Sequence, residues 1–81
     1  MIDTIKNYFF DNDYYIILLD DGIYIKNYNK IISSLNNEII ININNKIYKI
    51  KGNKIKIKRC IDHDIEFSGI IESINIIWLN Y

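Results

Sequence analysis

The sequence predicts an all-β protein: a single small antiparallel meander curled into a barrel or sandwich. Three observations carry that prediction. Apolar and polar residues alternate with period two, most cleanly from Tyr48 to Lys58, and strand side chains alternate between the two faces of a sheet. Turn signals recur about every eight to twelve residues, with no convincing helical period between them. The last apolar run breaks parity: Ile71 and Ile74 lie three apart, Ile74 and Ile76 two apart. A bulge at Glu72-Ser73 puts all three on one face, and bulges are where strands bend into barrels and rolls.

Composition sets the limits. The 81 residues make one domain, 1–81, with no room for a second core. A 49% hydrophobic fraction, 14% aromatic, supports a core and argues against disorder. Isoleucine is about a quarter of the chain, while Ala, Val, Pro and Gln are absent, which reads as the output of an AT-rich genome. Net charge is zero, so no global electrostatic attraction to nucleic acid is expected. The charge is uneven, however: Lys46, Lys49, Lys51, Lys54, Lys56, Lys58 and Arg59 crowd one segment that holds no acid. The single Cys60 excludes an intramolecular disulfide and suggests a reducing compartment. Residues Met1–Lys6 lack the basic-then-apolar pattern of a signal peptide, and no apolar run approaches a membrane span. The expectation is a cytoplasmic chain with no transmembrane segment of its own.

In chain order, residues 1–13 are either a short helix, capped by Asp3 and placing Ile5, Tyr8 and Phe9 on one side, or a frayed terminus. Residues 14–81 are strands and turns. Asp11-Asn12-Asp13 is a polar break before the apolar run Tyr14–Leu19. Asp20-Asp21-Gly22 is a strong turn signal, and 23–28 returns as the second strand of a hairpin. Asn29-Lys30 turns, 31–34 is extended, and Leu35-Asn36-Asn37 breaks it. Glu38–Ile43 is a strand, closed by Asn44-Asn45, because Asn tolerates left-handed φ. The run 48–58 alternates about Gly52-Asn53 and predicts a two-residue hairpin with Gly52 at positive φ. In that register Lys51 opposes Lys54 and Lys49 opposes Lys56, so one face of the ribbon is all lysine. Residues 60–63 are a loop and 64–68 a strand; Gly69 marks a bend or bulge, and Ile70–Tyr81 is a long final strand.

The stretch Ile23–Ile32 resembles the L-x-I-E-N-x-x-G-I segment of the YabP/YqfC family of sporulation proteins. Glu38–Ile43 is similar to the family's next strand, Tyr48–Ile57 to its L-x-I-x-G-x-x-L-x-I core, and Asp64–Ile74 to its I-x-I-x-G-x-I-x-x-I ending. The likeness spans residues 23–76 in order, nearest the YqfC branch, and its specificity lies in that order and in Gly52 and Gly69. Lys30 stands where the family usually has Gly, Lys26 where it often has Glu, and the N-terminal third matches poorly. The resemblance implies a factor of the mother cell of an endospore-forming bacterium, encoded beside a spore-programme membrane protein. It carries no catalytic residues, and no cofactor.

Other chemistry is thinly supported. Cys60 and His63 lie three apart, but a zinc site needs three or four ligands, which would draw in Asp62 and Asp64, and no third group orients a Cys–His nucleophile. Asp11, Asp13, Asp20 and Asp21 sit where Asp forms turns. Gly52 precedes no helix, so it cradles no phosphate. The aromatic residues Tyr8, Phe9, Phe10, Tyr14, Tyr15, Phe67, Trp78 and Tyr81 crowd the two ends; core packing is the default reading, a partner-binding face the other. The strongest candidate is the basic face Lys49, Lys51, Lys54, Lys56 and Lys58. A strand at 64–68 paired with 54–58 would place Asp64 and Glu66 against it, making it an ion-paired face. The reading is a non-enzymatic structural or adaptor protein of sporulation. Its expected partner is another spore-programme protein at a membrane, and edge-strand homo-oligomerisation is open to it. The rival is a small nucleic-acid-binding β-barrel that uses the lysines with Tyr24, Tyr28, Tyr48 and Trp78 as a stacking platform. Scarcity of Arg weighs against that rival.

Overall fold

The period-two runs become strands. They are β1 (Ile5–Phe10), β2 (Tyr15–Leu19), β3 (Gly22–Lys26), β4 (Lys30–Ser34), β5 (Glu38–Ile43), β6 (Lys46–Ile61) and β7 (Asp64–Leu79). The structure is a computed structural model and describes residues 5–10 and 14–79. The turns fall where their chemistry put them: Asp20-Asp21, Asn44-Asn45 with φ of 53° and 64°, and Asp62-His63 with Asp62 at 54°. Asn and Asp carry most of these left-handed positions because their short side chains tolerate them.

All seven strands join one antiparallel sheet in the order β1-β2-β3-β7-β6-β5-β4. The chain is all-β, as expected, but β1 and β4 remain edges, so the sheet is curled and not closed into a barrel. Curling is forced by one connection. In a flat sheet β3 and β4 would stand four strand spacings apart, about 19 Å. Four residue steps, Lys26 to Lys30, reach at most about 14 Å. The linker 27–29 therefore pulls the two ends of the sheet together. It is held there by the Tyr28 N–H donating to the His63 carbonyl and the Asn29 N–H donating to the Asn42 carbonyl, both at 2.8 Å.

Two sixteen-residue strands make the curl possible. The first half of β6 pairs with β5 and with the second half of β7; its second half pairs with the first half of β7, which in turn pairs with β3. Four register shifts interrupt the β6–β7 ladder. Two leave an extra residue on β7, at Glu72 and Ile77, and two leave one on β6, within 54–55 and at Lys58. The bulge expected at Glu72 is present, with Ile71, Ile74 and Ile76 opposite Gly52, Ile50 and Tyr48. Bulges bend the strand that carries them.

The concave side is the core. Ile16, Ile25 and Ile65 form one row across β2, β3 and β7, and Ile23 and Phe67 lie in the next. Ile39, Ile41, Ile43, Tyr48 and Ile50 close over them from β5 and β6. These isoleucines are fully buried, each worth about 1.5–3 kcal/mol relative to exposure.

Four expectations fail. Residues 5–10 form a strand rather than a helix, because pairing with β2 from Phe10↔Tyr15 to Ile5↔Leu19 satisfies the backbone of β1. The other parts of the 1–13 assignment, including the Asp11-Asn12-Asp13 break, lie outside the described residues, as does the end of the last strand at 80–81. The hairpin at Gly52-Asn53 is also absent: residues 46–61 are one continuous strand, and Lys51 lies opposite Ser73 and Glu38 rather than Lys54. Cys60 and Ile61, assigned to a loop, belong to β6. The residue at positive φ is Lys54 (55°), not Gly52. Gly52 is required for a different reason: a Cβ there would collide with the Ile70 carbonyl oxygen. Gly69 combines both demands, with φ of 125° and with the Lys54 carbonyl oxygen 2.7 Å and the Ile55 Cα 2.9 Å from where its Cβ would sit.

Substitution at the bend should therefore rank by constraint. Gly69→Ala is expected to cost about 2 kcal/mol or more, and Gly52→Val more than about 1 kcal/mol, in denaturant midpoints. A wild-type midpoint for Gly69→Ala would show that the bulge does not hold the bend.

Candidate functional site

Of the lysines singled out in the sequence, Lys49, Lys51, Lys56 and Lys58 still share a face, though not the face of a hairpin. Lys49 and Lys51 point outward from the first half of β6, opposite Asn75 and Ser73. The extra residue within 54–55 then shifts the alternation by one. Ile55 turns into the core, and Lys56, opposite Ser68, stands on the convex side again. Lys54 sits at the bend itself. Among the described residues, no ion pair is made by Lys49, Lys51, Lys54 or Lys56. Lys58 differs: its Nζ lies 3.5 Å from Glu66, whose carboxylate also accepts from Arg59 at 2.9 Å. The expected neutralisation by the strand 64–68 is thus real at Glu66. Asp64 turns instead to β3.

Asp64 organises a second cluster that sequence reasoning missed. Its carboxylate accepts the Asn27 backbone N–H at 3.0 Å, the Tyr24 hydroxyl at 3.2 Å and the Lys26 ammonium at 3.4 Å. Partial burial by itself raises the Asp64 pKa, but the Asn27 N–H, Lys26 and Tyr24 together outweigh it and hold the carboxyl below its ordinary value. The same contacts raise Lys26, first through the hydrogen bond to Asp64, and raise Tyr24, first through desolvation and then through the Asp64 charge. The Tyr15 ring lies 6.0 Å from that of Tyr24. Tyr24, Arg59, Ile61, Asp64 and Glu66 line a shallow depression of about 310 Å³ on the outer face. Its carboxylates are already engaged by neighbouring cations. No local motif announces the cluster, because Tyr24 and Asp64 meet only through the β3–β7 pairing across forty residues of sequence.

The remaining candidates separate. The Cys60 thiol lies 3.4 Å from the Tyr28 hydroxyl, and the His63 ring packs edge-on to the Tyr28 ring at 6.1 Å, so Tyr28 stands beside both. The thiol contact, then partial burial, raises the Tyr28 pKa. Among the described residues no three His, Cys, Asp or Glu side chains gather closely enough to hold a metal ion. Asp20 and Asp21 form the β2–β3 turn, and the Asp21 backbone carbonyl accepts the Gly69 N–H. Asp11 and Asp13 lie outside the described residues. Of the aromatic residues, Phe67 and Tyr14 are core, and Tyr14 hydrogen-bonds Tyr48, whose phenol is pushed far above its usual range, first by burial and then by that bond. Tyr48 therefore faces inward and Tyr24 outward, and the two do not share a stacking platform.

No family model, no curated protein and no solved structure matches the chain.

Asp64 makes pH dependence predictable. Because its folded pKa is depressed, its stabilisation is present above the unfolded value of about 3.9 and is lost as the pH falls through the lower folded value. Asp64→Asn is expected to cost roughly 1 kcal/mol at neutral pH. The gap to wild type should close in strong acid, read from denaturant midpoints across an acid titration. A gap constant down to the lowest pH would detach the stability from this carboxylate.

Proposed function

We propose that this chain is a non-enzymatic adaptor of the sporulation-associated type its strand motifs resemble, and that it meets an acidic partner protein through the convex face of β6. The observation that carries the binding reading is the set of four lysines along the bent strand β6, Lys49, Lys51, Lys54 and Lys56, that make no ion pair among the described residues. Four cations held at one curved surface favour an anionic counterpart and steer its approach. Support for the process comes from the order of the strand motifs over residues 23–76, with Gly52 and Gly69 both seated in the bend. Among the described residues no helix is long and apolar enough to cross a membrane, so attachment to a membrane is proposed to run through the partner, from the cytoplasmic side. Homo-oligomerisation through an edge strand is compatible with this role.

The test pairs physiology with binding. Deleting the gene in its host should lower the yield of heat-resistant spores, and the wild-type gene should restore it where Lys49→Glu with Lys56→Glu does not. The double variant should keep the fold, since both side chains lie on the outer face, and should lose a protein partner that wild type retains at low salt and releases at high salt. Unchanged spore yield removes the sporulation role. Salt-sensitive retention of single-stranded nucleic acid, lost in the double variant, replaces the adaptor reading with a nucleic-acid-binding one.

A further inference from the structure

The curled sheet leaves four stretches of strand edge without a pairing strand among the described residues: β1, β4, the second half of β6 and the second half of β7. An open edge invites another strand, and natural proteins guard such edges with charge, lysine above all. Three of the four are guarded in this way. β1 carries Lys6, β4 carries Lys30, and residues 56–61 carry Lys56, Lys58 and Arg59. The fourth, residues 70–79 of β7, has no basic residue and a single acid, Glu72. Ile70, Ile76 and Ile77 on that stretch are each about half exposed.

We propose that this edge of β7 pairs antiparallel with the same edge of a second copy, forming a two-fold dimer with one continuous sheet. Charge selects a second copy as the occupant. A two-fold axis normal to the sheet at Asn75 sets Ile74 opposite Ile76 of the other copy on the concave face. It holds the two Glu72 residues six strand positions apart, about 20 Å, beyond the screening length of roughly 8–10 Å. No like charges stand directly opposite, whereas self-pairing of residues 56–61 about their centre would set Lys58 against Arg59. The zero net charge of the chain adds no long-range repulsion. The bulges at Glu72 and Ile77 confine the regular ladder to the residues between them, so the interface is small and the dimer belongs to the weak, concentration-dependent class. The axis keeps the outer faces of both copies on one side, placing Lys49 and Lys51 of each on a shared surface. The dimer stands or falls independently of the sporulation role.

Sedimentation over a hundredfold range of loading concentration tests the proposal. The mass of 9.7 kDa is expected to rise to twice that value and stop. Asn75→Lys, at an exposed site, should keep its CD spectrum and weaken the dimer about tenfold or more by setting lysine against lysine at the axis. Ser34→Lys, on β4, should leave it unchanged. As a check that needs no charge, Asn75→Cys with Cys60→Ser should form a disulfide-linked dimer under mild oxidation, and Ser33→Cys with Cys60→Ser should not. A monomer at every concentration overturns the proposal. So does a dimer indifferent to Asn75→Lys, or growth into larger polymers, which would mean head-to-tail pairing of unlike edges.

Discussion

The structure depends on one close approach. Gly69 of β7 lies against the backbone of Lys54 and Ile55 at the point where β6 carries an extra residue. A side chain on the β7 strand there would drive the two strands apart and straighten the bend. With the bend straightened, the linker 27–29 could not reach from β3 to β4, and Ile39, Ile41 and Ile43 would have nothing to cover. The loop between β4 and β5 completes the lock: the Asn36 carbonyl accepts the Ile55 N–H at 2.7 Å and the Asn37 carbonyl accepts the Gly52 N–H at 3.1 Å. Backbone groups freed by the bulge are therefore satisfied by a neighbouring turn rather than left buried and unpaired.

The bend also decides how charge is distributed. One strand carries all the clustered lysines, but the acid that pairs with them lies beside its second half: Glu66 sits on the half of β7 that pairs with residues 56–61, while Glu38, across from Lys51 on β5, makes no ion pair among the described residues. Glu66 is largely withdrawn from solvent and takes Arg59 and Lys58. Asp64, two residues earlier, faces β3 and takes Lys26 and Tyr24. Asp64 and Glu66 are thus already engaged on one half of the sheet. Lys49, Lys51 and Lys56 are left on the convex surface.

Local chemistry made most elements legible. The Asx turns, the strands from β2 to β5, the bulge at Glu72 and the Glu66 counter-charge can all be read from residue type and parity. The error at Gly52-Asn53 is instructive, because a two-residue turn and a one-residue bulge leave the same mark on parity. Both put Ile50 and Ile55 on one face with Lys49, Lys51 and Lys56 on the other. The parity pattern holds whether the chain reverses or merely bends, and only the partners of the flanking residues tell the two apart. β1 was hidden for a related reason: Ile5, Tyr8 and Phe9 fit a helical stripe, and pairing with β2 overrides that spacing. The Asp64 cluster was hidden because it needs the β3–β7 register, which no local window contains.

An isoleucine-rich chain weakens exposure as a guide to interfaces. Ile32, Leu35, Ile57 and Ile61 are about as exposed as Ile70, Ile76 and Ile77, so apolar area alone does not distinguish one edge from another. Charge does. Ile57 and Ile61 lie on the β6 edge among Lys56, Lys58 and Arg59, and Ile32 lies on the β4 edge that begins at Lys30. A strand approaching either must bring a counter-charge or accept repulsion and desolvation. Residues 70–79 impose no such condition. With no Val or Ala, the chain has few small apolar side chains with which to shield an edge, and with no Pro it cannot block the ladder directly. The placement of its charges is the means left to decide which edges stay closed.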